Sequence, residues 1–418
     1  MTVQARSALA IALHDGFYCA GTGAGRSNRA FIQIVTENLA PHVLLTVLPI
    51  RLTSRSTEYD PAWHQQTLRI LGQHAAHIRP VDNGTNGRVR FGGLPAFRHL
   101  AADTAAQLRQ MLPSTPRLAI ILLDVPFLGV PPMLPTALLP AVTVLPRSTA
   151  LLHQPDDLDR IRFERTGLLT VAHNGGHIAA ISTHMRTHLH HAYRIPTTAL
   201  IDLPNGLTPA DRCFGQPDRE LLPAAAHAGF ILAIGRAQPY KGWDDLLDAL
   251  AHLRATGIQT PHAVLAAVTE QDTPSAYQRH LADRITHLNI NATLLTRHNP
   301  ALRDLLTHPQ LRALVIPSRT EPFGRLPLES YAAGAAPVIA TTAGGLAEQV
   351  INGITGITAH PNNPHSLADA IRRALDLTEP DRRAMRTAGR AMLSTHFDYP
   401  KTVTTFLTRI APWTLNPS

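Results

Sequence analysis

The chain has 418 residues, 16% of them charged and 44% hydrophobic, too long for one ordinary core and too apolar for a disordered segment. Its formal charge of +8 comes mostly from arginines spread along the chain, and with aromatics at 5% and no basic run interleaved with them, nothing marks a nucleic-acid binder. The spread reads as a compositional bias, with peripheral membrane contact as a minor option, and no stretch reaches membrane-spanning length.

The amino-terminal arginine and short apolar run resemble a signal peptide, but the run is only Ala8 to Leu13 and leads into His14-Asp15, so a first strand is expected. A glycine loop, Gly21-Thr22-Gly23-Ala24-Gly25-Arg26, follows. Its G-x-G-x-G spacing lacks the third glycine of a dinucleotide fingerprint, and no acidic residue closes a second strand, so a dehydrogenase is the weaker reading. Apolar runs at Val43–Leu48, Leu118–Leu123, Ala141–Leu145 and Ile178–Ile181, with helical-length segments between several of them, predict a parallel sheet with helices on both faces. His184 and His188 stand one helical turn apart with His190 and His191 beyond, yet no third ligand pattern accompanies them, so a solvated helix face is expected and no metal is assigned. Cys19 and Cys213 have no paired spacing; a reducing, cytoplasmic setting is the default.

Leu203-Pro204-Asn205-Gly206 and the polar, proline-containing stretch after it divide the chain into residues 1–205, a linker over 206–228 and a second half over 229–398, with a final segment at 399–418. Strands at Phe230–Ile234, Ala263–Val268, Thr293–Leu295, Leu314–Ile316 and Val338–Ala340 repeat the α/β scheme. The first of these ends in Gly235-Arg236 and then Lys241-Gly242, after which Trp243, Leu246, Leu247, Leu250 and Leu253 fall at helical spacing. Two cations at a strand-to-helix crossover form a clamp for a diphosphate, the arginine as a fork and the lysine as a point charge.

The fourth strand of this half runs into Pro317-Ser318-Arg319-Thr320-Glu321-Pro322-Phe323-Gly324-Arg325-Leu326-Pro327-Leu328-Glu329. Pro327 suits a first helical turn, so Glu321 lies on a loop and Glu329 on the helix that follows. That helix N-terminus offers unpaired N–H groups and partial positive charge, Gly324 lets backbone approach a ligand, and carboxylates accept hydrogen bonds from sugar hydroxyls. Alone, two acids at a helix start read as helix decoration.

With the Arg236–Lys241 motif upstream and Thr341-Thr342-Ala343-Gly344-Gly345 downstream, the stretch resembles the retaining glycosyltransferases of the GT-B fold, especially the GT4 family, and more distantly the glycogen and starch synthases. The proline of Ala333-Gly334-Ala335-Ala336-Pro337-Val338 stands one place later than is usual in the GT4 family, closer to the starch-synthase pattern. The resemblance implies two Rossmann-like parallel-sheet domains facing a central cleft. The first would bind the acceptor, the second the donor, and the last helix, after Asp398-Tyr399-Pro400, would cross back onto the first. It implies that Arg236 and Lys241 hold the donor diphosphate, Glu329 the nucleotide ribose and Glu321 the transferred sugar. Phe323, Gly324, Arg325 and Leu326 would lie around the donor and Arg297 near its base, uracil or guanine, while Gly23, Gly25 and Arg26 would approach the donor phosphates or the acceptor. No cofactor or metal is required, since the protein's cations meet the diphosphate of a UDP- or GDP-linked sugar.

The family offers a histidine after an N-terminal-domain strand; here Val142-Thr143-Val144-Leu145-Pro146-Arg147-Ser148-Thr149 holds none before His153. Either His153 takes that role, or Arg147 and Ser148 line the pocket differently. The expected activity is glycosyl transfer with retention, onto an aminoglycoside-like natural product or other small polyol, or onto a lipid or polysaccharide. A catalytically inactive nucleotide-sugar-binding regulator is the alternative. A pyridoxal-dependent phosphorylase does not fit, because no segment suits that cofactor and the chain is short for it. Oligomeric state leaves no mark in the sequence.

Overall fold

The computed structural model describes residues 7–20, 23–111, 117–217, 219–269, 273–335 and 337–416. Residues 1–6, Gly21, Thr22 and Ala336, all in stretches named above, lie outside them. The chain forms two compact units, Met1–Asn205 with Tyr399–Ser418, and Gly206–Asp398.

The first unit is a seven-stranded parallel sheet of β1 (Ser7–Leu13), β2 (Val43–Pro49), β3 (His77–Ile78), β4 (Leu118–Leu123), β5 (Val142–Leu145), β6 (His177–Ala180) and β7 (Leu200–Asp202). Their order across the sheet is β3-β2-β1-β4-β5-β6-β7. All seven residues of β1 are buried, as a central parallel strand covered on both faces requires, and Leu9 stands between Leu45 and Ala119. The helices are α1 (Gly23–Asn38), α2 (Pro61–Gly72), α3 (Gly93–Gln110), the single turn α4 (Ala150–His153), α5 (Leu158–His173) and α6 (Thr183–Ala192). Asp60 caps α2 by accepting from the Trp63 N–H at 3.0 Å, with Pro61 at its first position.

The second unit is a six-stranded parallel sheet of β8 (Phe230–Arg236), β9 (His262–Thr269), β10 (Ala292–Arg297), β11 (Leu311–Ile316), β12 (Val338–Thr341) and β13 (Ile357–Ala359), in the order β10-β9-β8-β11-β12-β13. Its helices are α7 (Trp243–Ala255), α8 (Ala276–His287), α9 (Leu326–Ala333), α10 (Pro364–Leu375) and α11 (Glu379–His396). Leu246, Leu250 and Leu253 of α7 pack with Ile231, Leu265, Val315 and Ile371 in one buried cluster. The stretch 206–228 belongs to this unit and carries three short 3-10 turns.

The last helix, α12 (Tyr399–Ile410), returns to the first unit, where Phe406 meets Phe31 of α1 with ring centroids 6.2 Å apart. Beyond it the Ala40 N–H donates to the Thr414 carbonyl at 2.8 Å, and Leu39 bridges Leu415.

The glycine stretch departs from expectation. Gly23, Gly25 and Arg26 are the first turn of α1 rather than a loop. A Cβ on Gly25 would stand 2.2 Å from the Ala20 carbonyl oxygen, so glycine is needed there for the helix start to lie against the incoming backbone. The loop proper is 14–20, whose Gly16 has φ +94°.

Candidate functional site

Both sheets reverse their winding beside their first strand, and ligands of open parallel sheets bind outside the strand C-termini at that reversal. In the second unit the point lies between β8 and β11, which feed the segments holding Arg236–Lys241 and Glu321.

These segments are stitched together. Gly242, at φ +73°, lies so close to β11's exit that a Cβ would stand 1.9 Å from the Pro317 carbonyl oxygen. The Arg319 N–H donates to the Tyr240 carbonyl at 2.8 Å, and the Arg319 guanidinium grips Asp245 with both arms, at 2.8 and 2.6 Å. The ammonium of Lys241 then pairs with the carboxylate of Glu321; their side chains are 19% and 14% exposed, so the pair is partly desolvated yet reachable. Arg236 is exposed and donates to the Tyr240 hydroxyl at 2.5 Å. The Arg236 and Lys241 charges each stand 5.8 Å from the Tyr240 ring, which serves both as a cation–π partner.

The loop after Glu321 is held from below. The Gly345 N–H donates to the Glu321 carbonyl at 2.9 Å, and Gln349 Nε2 donates to the Phe323 carbonyl at 2.6 Å. The Phe323 ring is buried against Phe397 at 5.8 Å, so it fixes the loop instead of presenting a surface. Gly324, at φ +79°, makes the turn into α9, where Pro327 occupies the first turn and no side chain caps the N-terminus.

Glu329 is buried between two arginines, with Arg325 Nε at 3.2 Å and Arg303 Nε at 3.5 Å. Arg325 also reaches Asp211 at 2.8 Å. Burial works against the Arg325 charge, but Asp211 and Glu329 outweigh it and raise its pKa. Arg325 is thus committed to carboxylates of its own chain, whereas Arg297, the last residue of β10, is exposed. Leu326 is the half-buried first residue of α9.

At the matching reversal of the first unit, between β1 and β4, stand Asp15 and Asp124. Asn28 of α1 donates to the Asp15 carbonyl at 3.0 Å and to Asp124 Oδ2 at 2.6 Å. Arg147 donates to Asn28 at 2.6 Å and to Asn205 at 2.7 Å, and lies 3.7 Å from Asp124. Arg147 is therefore locked in this buried network. His153 sits half-buried on α4 beyond β5, one strand removed from the reversal, where the acidic Asp124 stands instead. His188 bonds Thr149 at 2.8 Å, and among the described residues no three His, Cys, Asp or Glu side chains gather to hold a metal.

Asp124 has φ +81°, and burial pushes its carboxyl up to about 6, with Arg147 offsetting part of the effect. The folded chain therefore binds this proton more tightly than the unfolded chain does at 3.8. Stability falls as pH rises through that window, by about 3 kcal/mol once ionisation is complete. Asp124→Asn, a residue that tolerates positive φ, is expected to gain on the wild type in thermal unfolding between pH 4 and pH 8. An unchanged difference across that range would remove the assignment.

Sequence reasoning did not find Tyr240, Arg319, Arg303, Asp211 or Asp124. Tyr240 stood in view beside Lys241; the others depend on contacts between segments far apart in the chain.

Residues 218–392 match the model of the family described as glycosyl transferases group 1. The glycogen synthase of Mycobacterium tuberculosis is 35% identical over 175 residues, 42% of this chain and 40% of that protein. The chain thus spans about two fifths of the length of the curated relatives it matches. Among solved structures, the sucrose-phosphate synthase of Thermosynechococcus elongatus superposes with a TM-score of 0.73 at 16% identity, over 98% of this chain and 99% of that one. HepE of Anabaena, in complex with UDP, gives 0.66 at 18% identity, over 97% and 100%. At such identities the likeness establishes the fold, which is GT-B.

Proposed function

We propose that this chain, whose residues 218–392 match the model of the glycosyl transferases group 1 family, moves a glycosyl group from a nucleoside diphosphate sugar to an acceptor hydroxyl with retention at the anomeric carbon. The observation that carries the reading is the Lys241–Glu321 pair at the β8–β11 reversal, with Arg236 and the uncapped start of α9 beside it.

Negative charge grows on the departing diphosphate in the transition state, so fixed positive groups aimed there supply rate. Lys241, Arg236 and the backbone N–H groups of 324–326 are those groups. Glu321 orients the transferred sugar and opposes its developing positive charge, and a phosphate oxygen takes the acceptor's proton. Glu329, held between Arg325 and Arg303, accepts from the ribose hydroxyls. The acceptor is the first unit's task. UDP is the donor nucleotide expected first, HepE having been solved with it, and GDP the second.

The test is thermal unfolding of the full chain with UDP, GDP and their sugars, followed by nucleoside diphosphate release with and without chelator. One donor at a hundred times its Kd is expected to stabilise the fold by about 2.7 kcal/mol and to turn over in chelator, since protein cations meet the diphosphate. NMR of the product would show the donor's anomeric configuration kept. Stabilisation without turnover, even by slow donor hydrolysis, would instead describe a nucleotide-sugar-binding regulator.

A further inference from the structure

The segment between β3 and α3, residues 79–92, is built inside out. Of three consecutive residues the charged one, Arg90, is 4% exposed, while Val89 and Phe91 on either side are 44% and 49% exposed. Large apolar side chains placed outward around a buried charge are the informative inversion of the usual pattern.

The loop is not loose. Arg90 pairs with Asp15, at the end of β1, at 2.6 Å and with Glu58 at 3.2 Å, and its N–H donates to Glu58 at 2.7 Å. Its carbonyl accepts from His14 Nε2 at 3.0 Å and from Asn83 Nδ2 at 3.2 Å. Asn83 also caps the Thr85 N–H at 3.1 Å, and the Thr53 N–H donates to the Gly87 carbonyl at 3.0 Å. So many bonds hold Phe91 at the first unit's sheet reversal, its ring 4.3 Å from that of His14 and inclined to it by 50°. His14 is buried, which pushes it down to about 4, so an uncharged ring backs Phe91 near neutral pH.

We infer that Phe91, mounted on Arg90, is the acceptor-side stacking platform and selects an acceptor that presents a pyranose ring. A pyranose has one apolar C–H face and a rim of hydroxyls. The loop offers the complement: one exposed aromatic surface of ring size, in a segment that also exposes the polar Asn86 and Arg88 and the backbone of Gly92 and Gly93. Two exposed apolar side chains are too small a patch for a lipid chain, which needs a continuous apolar surface. This assignment rests on the glycosyltransferase reading and names its acceptor class.

The probes are methyl α-glucopyranoside and maltose, with uridine and hexanol as controls, bound to the full chain and followed by saturation-transfer NMR. Strongest transfer is expected on the pyranose C–H protons. Phe91→Ala is expected to weaken pyranose binding about tenfold and Phe91→Trp to keep it within about threefold. Both variants should unfold thermally within about 3 °C of wild type, which reports that they are folded. Absence of pyranose binding to the wild type, binding unchanged in Phe91→Ala, or a Phe91-dependent response to uridine or hexanol alone would overturn the assignment. Failure of the wild type to release nucleoside diphosphate from any donor, with or without acceptor, would instead sink the transferase reading, while the binding arm still reports on Phe91.

Discussion

Lys241→Ala is expected to lower kcat/KM for glycosyl transfer by roughly a hundredfold or more, the scale seen when one fixed donor to a developing charge is removed. Two losses combine. The departing diphosphate loses a cation at the sheet reversal, and Glu321 loses the ammonium it is paired with in a partly desolvated position. Glu321→Gln removes the second partner without the first, and the double variant is expected to fall short of the product of the two single effects, because the residues act as a unit. Arg236→Ala should cost less, since Arg236 is solvated and leans on Tyr240. Steady-state release of nucleoside diphosphate measures all four variants. A Lys241→Ala loss below about tenfold, or 1.4 kcal/mol, would remove lysine from the leaving-group role.

The largest expected effect on stability is at Arg325. Its guanidinium is buried and binds Asp211 at 2.8 Å and Glu329 at 3.2 Å. Arg325→Ala leaves two carboxylates in a site with little water, and breaking a buried ion pair by removing one partner costs about 3–5 kcal/mol. Burial pushes the Asp211 carboxyl up, but Arg325 and the Thr208 hydrogen bonds outweigh it and leave the pKa below the ordinary 3.8. A depressed carboxylate stabilises the fold above its unfolded value and stops doing so as pH falls through the folded one. The gap between wild type and Arg325→Ala in urea unfolding should therefore be full at pH 7 and narrow below about pH 4. An equal gap at pH 7 and pH 3 would mean that lost packing, not uncompensated charge, is responsible.

The central strands were legible because both faces of each are covered, so β1, β4, β8 and β9 read as continuous apolar runs. β3, β7 and β13 were not, being two or three residues long and sharing their composition with loops. Glu321 and Lys241 were recognisable as residue types at a suggestive spacing, and their pairing across 80 positions comes from parallel strands that adjoin only in the sheet. Arg90 meets Asp15 across 75 positions because the loop between β3 and α3 reaches back to the end of β1. The helix start at Gly23 reads as a loop in the sequence because glycine carries little helical preference, and the packing that demands glycine there, at Gly25, comes from Ala20.

The return of α12 to the first unit has a consequence for the order in which the chain is made. Phe31 of α1 is fully buried, and part of its cover is Phe406. A ribosome that has released α1 must still produce the whole of Gly206–Asp398 before that cover exists. With residues 39–205 still to be made as well, at about 5–20 residues per second this is a delay on the order of twenty to seventy seconds. The second unit, continuous in sequence, can close while the nascent first unit still shows an apolar stripe along α1, so it is the first-made half that finishes last and has the longer need of a chaperone.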